Sequence, residues 1–106
     1  MSYFVSTRWG GDEREPTLVR MRQVLAELGA DDIEHPGVSL THESGWSLGA
    51  FPGDLLTWEN VGADDEPRHM NGVARGRVLE LWSKLADGRI AEVDAEPWLP
   101  GYEDPA

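Results

Sequence analysis

Residues Val38–Val61 read VSLTHESGWSLGAFPGDLLTWENV, three short segments of strand chemistry parted by two turn signals, Ser44-Gly45 and Pro52-Gly53. In the first segment Val38, Leu40 and His42 alternate with Ser39, Thr41 and Glu43, a period of two that separates an apolar face from a polar one. Trp46, Leu48 and Ala50 alternate with Ser47 and Gly49 in the second. Leu56 and Trp58 alternate with Thr57 and Glu59 in the third. The pattern predicts a three-stranded antiparallel meander with one apolar face, and that face needs a cover. Two amphipathic stretches, Pro16–Leu28 and about Ala74–Ala86, are placed to provide it.

Upstream, Tyr3-Phe4-Val5-Ser6-Thr7-Arg8-Trp9 has the β-branched and aromatic content of a strand that ends at Gly10-Gly11. The charged run through Glu15 reads as a loop. Pro16 is suited to a first helical position, Leu18, Met21, Leu25 and Leu28 form one face, and Gly29 reads as the stop. Downstream of the meander, Arg68-His69-Met70 is either a further short strand or the approach to the next helix. In that helix Val78, Leu81, Trp82 and Leu85 make an apolar stripe that Gly88 ends, and Ile90–Asp94 reads as one more helical turn. The tail from about residue 96 is too rich in proline for regular structure, yet Trp98, Leu99 and Tyr102 give it apolar groups to pack. The sequence therefore predicts one α+β domain over residues 1–106, in the order β-α-β-β-β-α, a small antiparallel β-sheet covered on one face by two helices.

Charge is the strongest compositional signal. Twenty acidic residues against nine basic ones give a formal net charge of −11. A field of that sign repels nucleic acid and anionic membrane and attracts basic partners; its simplest role is solubility as a monomer or weak dimer. The absence of cysteine excludes disulfides, thiolate metal sites and a cysteine nucleophile, and it fits a reducing cytoplasm. Met1-Ser2-Tyr3 leads straight into strand-like sequence, so neither a signal peptide nor a membrane span is expected.

Chemical motifs are few. Gly10-Gly11 lacks the lysine and glycine spacing of a phosphate loop, and His42 near Ser44 is no triad. Glu43 and Glu59 would need a sugar-binding cleft to act as a carboxylate pair. His42, Glu59 and His69 could converge on a metal if the third strand of the meander lay beside the first and the Arg68–Met70 segment came close, and their spacing does not demand it. No cofactor or metal is expected. Five tryptophans stand at 9, 46, 58, 82 and 98. Trp82 lies on the helix stripe and belongs to the core. Trp46, beside a turn, and Trp98, in the proline-rich tail, are candidate anchors for a protein partner. The acidic runs Asp31, Asp32, Glu34 and Asp64, Asp65, Glu66 are candidates for steering it.

Leu56-Thr57-Trp58-Glu59-Asn60, Arg68-His69-Met70, Val78-Leu79-Glu80-Leu81-Trp82 and Glu96-Pro97-Trp98-Leu99-Pro100-Gly101-Tyr102 resemble landmarks of small acidic bacterial immunity proteins that accompany secreted polymorphic toxins. The resemblance covers roughly the second half of the chain. It implies a compact cytoplasmic protein that is not an enzyme and that binds and blocks one basic toxin domain. It carries no functional residue over by position. A small regulatory or accessory module is the alternative, and a minor metal-dependent hydrolase the third reading.

Overall fold

The computed structural model describes residues 2–7, 11–29, 37–62 and 66–101. The meander forms as its alternation requires, with β3 (Val38–His42), β4 (Trp46–Phe51) and β5 (Leu55–Asn60) joined by tight turns. Gly45 and Gly53 sit in those turns at φ of 94° and 83°, a conformation that costs a side chain and suits glycine. The sheet is larger than the sequence suggests. Among the described residues it has seven antiparallel strands in the order β2-β1-β3-β4-β5-β6-β7, adding β1 (Tyr3–Ser6), β2 (Asp12–Arg14), β6 (Arg68–Met70) and β7 (Leu99–Pro100).

Three of these strands correct the predicted order. The charged segment expected as a loop supplies β2, which pairs Glu13 with Val5. Arg68–Met70 is a strand, with Met70 opposite Leu56. The proline-rich tail, expected to be irregular, adds Leu99 opposite His69. Neither rim strand has an alternating pattern to betray it, because each is too short and is held by its neighbour's backbone. The first strand ends at Ser6, short of the predicted Trp9: Thr7 is not part of it, and residues 8 and 9 lie outside the described residues.

Helices α1 (Leu18–Ala26), α2 (Arg75–Ala86) and α3 (Ile90–Asp94) pack on one face of the sheet, so among the described residues the cover is three helices rather than two. Thr17 caps α1, its hydroxyl accepting from the Arg20 amide at 3.2 Å, and Pro16 precedes the cap rather than opening the helix. The expected glycine stop is instead a 3₁₀ turn, Glu27–Gly29. The core between the layers gathers Val5, Leu40, Leu48 and Trp58, one cross-strand row, with Val24 and Leu25 of α1 and Val78, Leu81, Trp82 and Leu85 of α2. Trp82 is fully buried, and its Nε1–H donates to the Leu48 carbonyl at 3.1 Å, locking α2 to the central strand. Trp58, also fully buried, donates through Nε1–H to Asp94 of α3 at 3.0 Å; Arg68 of β6 donates to the same carboxylate oxygen at 2.9 Å. One acid thus ties the third helix to two strands. No described helix is long and apolar enough to cross a membrane.

Candidate functional site

The strand period that buries one face leaves the other without a helix among the described residues. Register places two rows of side chains on it. Phe4, Thr41, Ser47 and Glu59 lie across β1, β3, β4 and β5. Ser6, Ser39, Gly49, Thr57 and His69 lie across β1, β3, β4, β5 and β6. These are small and mostly hydroxylic, where a solvent-facing strand would ordinarily carry long charged side chains. The Thr41 and Ser47 hydroxyls lie 3.0 Å apart, and Thr57 Oγ1–H donates to the Gly49 carbonyl at 3.4 Å.

Small floors leave room. Phe4, Phe51 and Val61 stand around the hydroxyl rows, and together they outline a groove of about 510 Å³, with Glu59 also lining it. Phe51 lies across the bare backbone of two glycines: a Cβ at Gly37 would sit 2.6 Å from its ring, and one at Gly49 would sit 3.2 Å from it. Gly49 is also crowded by Thr57 Oγ1, 2.6 Å from where its Cβ would be, so only glycine fits between them. The floor is consequently recessed, and Ser47 and Thr57 are only 7% and 4% exposed although no described helix covers them.

The same register separates the predicted metal set. β4 lies between β3 and β5, so the third strand of the meander is not beside the first. His42 shares the helix-side face with Leu40, whereas Glu59 and His69 belong to the opposite face. The three cannot converge on one ion. Among the described residues no group of three or more acids and histidines is disposed to hold a metal. Each of the two described histidines has a local structural task. His69 is fully buried and its Nδ1–H donates to the Gly101 carbonyl at 2.9 Å, fastening the segment after β7. His42 Nδ1 accepts from the Ser44 amide at 3.1 Å and lies 2.8 Å from the Ser44 hydroxyl, bracing the β3–β4 turn. That acceptor role puts the proton on Nε2, which is buried without a partner among the described residues.

The sequence-predicted partner residues fall into two groups. Asp31, Asp32, Glu34, Asp64 and Asp65 lie outside the described residues. Trp46, Glu66 and Trp98 come together at the β5–β6–β7 side of the sheet. Trp46 and Trp98 are half-buried and stack on the two sides of Trp58, with ring centroids 4.5 and 5.9 Å away and planes within 12° and 11° of parallel. The Arg68 guanidinium lies 5.9 Å from the Trp46 ring centroid, and Trp98 Nε1–H donates to the Val93 carbonyl at 2.9 Å. Exposed Glu66 borders a shallow hollow of about 300 Å³ with Pro67, Arg68, Trp98 and Pro100. Both tryptophans are thus committed to packing as well as partly accessible.

Most basic side chains are already neutralised. Arg20 forks onto Glu13, and this hydrogen-bonded ion pair holds the Glu13 carboxyl below its ordinary range and raises the Arg20 guanidinium. Arg77 bridges Glu96 and Glu80, which raises it likewise; Arg68 meets Asp94, Lys84 meets Glu92, and Arg89 meets Asp87 and Glu92. The residues that sequence reasoning passed over are those of the groove, Phe4, Ser39, Thr41, Ser47 and Phe51. Their signal was legible: the polar half of the alternation is made of small hydroxyls rather than charges. Set against known proteins, the chain matches no family model, no curated protein and no solved structure, so its site is read from its own residues.

Proposed function

We propose that this protein is a non-enzymatic binding protein of the immunity or inhibitor type, which occludes a basic surface of a toxin domain or similar partner. The observation that carries the reading is the recessed hydroxyl groove, on the face that no described helix covers, of a protein whose net charge is −11. A guanidinium or ammonium group entering that groove meets the hydroxyl oxygens of Ser39, Thr41 and Ser47 as acceptors, with the rings of Phe4 and Phe51 along its flanks. The negative field steers such a partner into encounter, and the groove then supplies shape. Acidic runs such as Asp64, Asp65 and Glu66 act on the first step, and Trp46 and Trp98 on retention. A cytoplasmic location and a monomeric or weakly dimeric state accompany this reading.

The test is capture of a partner from native lysate, or of the product of a neighbouring gene, followed by stopped-flow association across a salt series. Thr41→Trp fills the groove and is expected to weaken capture by at least about tenfold, the scale of losing one central anchor. Neutralising Asp64, Asp65 and Glu66 together is expected to slow association most at low salt. Capture unchanged by Thr41→Trp would remove the groove from the interface. An on-rate indifferent to salt would leave the acidity with solubility alone.

A further inference from the structure

In a chain with twenty acids and nine bases, an arginine without an acidic partner is unexpected. Among the described residues Arg14, Arg22 and Arg75 form no ion pair, while Arg20 and Arg77 do. Two of those three, Arg22 and Arg75, border one groove between α1 and α2, a space of about 250 Å³ walled by Leu25, Ala26, Gly76 and Leu79. We infer that this groove is a binding site for a small carboxylate carrying an apolar body, held by Arg22 and Arg75.

Three further features make sense on that footing. Arg75 is the first residue of α2, where a cation opposes the helix dipole. No side chain caps that end, since Ala74 precedes it, and its first turn carries no acid. Gly76 weakens the helix, yet a Cβ there would meet nothing within 4 Å. Packing does not demand the glycine, and its bare position leaves the groove open. The start of α2 combines three departures from helix-building preference, a pattern met where a site is maintained.

Size and chemistry select the ligand. At ~30 Å³ per water the space holds about eight waters, room for one ring or a medium acyl chain and no folded element. Leu25 and Leu79 offer the chain an apolar wall, and two guanidinium forks match the two oxygens of a carboxylate. Asp54 lines a narrow adjoining hollow with Arg75 but makes no ion pair with it.

Octanoate is the probe, titrated into the whole chain and followed through backbone amide shifts. Saturable shifts are expected at Ala26, Gly76 and Leu79. Arg22→Gln and Arg75→Gln should each weaken binding by about tenfold, one charge-assisted contact apiece. Octan-1-ol and octylamine, with the same chain and no carboxylate, should fail to saturate. Arg75→Gln should melt no lower than the native chain, because it removes a cation from the positive end of a helix. Shifts scattered over the surface, unchanged affinity in both variants, or equal binding of the alcohol would each overturn the assignment.

Discussion

Gly49→Ala tests whether the recessed floor is a packing requirement. The new methyl would start 2.6 Å from Thr57 Oγ1 and 3.2 Å from the Phe51 ring, where ordinary contact begins at 3.4 Å. Removing glycine's extra unfolded freedom favours the variant by about 0.4–1 kcal/mol. Forcing a methyl into occupied space costs about 1–3 kcal/mol, since Thr57 sits on a paired strand and cannot retreat without moving β5. A net loss of about 1–2 kcal/mol is expected. Thr57→Ala alone should cost roughly 1 kcal/mol, for one long hydrogen bond and a strand-favouring side chain. It also deletes the obstructing atom, so the double variant should unfold close to Thr57→Ala itself. The cycle then yields a coupling of about 1 kcal/mol or more. Urea unfolding of the four proteins measures it. An additive cycle, or a Gly49→Ala variant as stable as the native chain, would refute the close approach and with it the account of the groove.

Other consequences are briefer to state. Trp82→Phe should lose about 2–3 kcal/mol, from a partial cavity and the orphaned Leu48 carbonyl; a loss under about 1 kcal/mol in urea melts would mean the indole is not the lock between α2 and β4. Asp94→Asn keeps an acceptor for Trp58 and should be mild. Asp94→Ala should cost about 1 kcal/mol more and shift the Trp58 indole proton in NMR spectra, which an unrelated surface change would not do. The Glu13 carboxyl is lowered by Arg20, so the pair stabilises the fold above the ordinary value of 4.5 and loses that contribution as pH falls through the lowered one. Glu13→Gln should therefore melt below the native chain at neutral pH and converge with it in acid. A gap that persists in acid would deny the ion pair its role.

Strong alternation and good turn chemistry made the meander readable, and the Val78–Leu85 stripe did the same for α2. What stayed hidden had no local pattern. Asp12-Glu13-Arg14 is charged throughout and becomes a strand because Val5 and its neighbours offer an unpaired edge and Arg20 returns to hold Glu13. Leu99–Pro100 becomes a strand because His69 fastens the residue that follows it. The predicted metal set failed for a reason of parity: one strand too many stands between β3 and β5, and His42 faces the other way. The groove was written in the sequence as serine and threonine at alternate positions, but its depth depends on Phe51 lying over two glycines, a tertiary contact no period reveals.

The two rims of the sheet determine how copies of this protein meet at high concentration. An unguarded rim is a template on which another chain can add a strand, the first step towards fibrils. Here one rim of the described sheet is three consecutive charged residues, whose solvation discourages a second strand from pairing there, and copies carrying a net charge of −11 repel one another. The other is two residues long, and Pro100 withholds the amide that an incoming strand would need. Crowding should therefore produce repulsion and not growth, and the protein should stay dispersed where a sheet of seven strands would otherwise seed its own deposit.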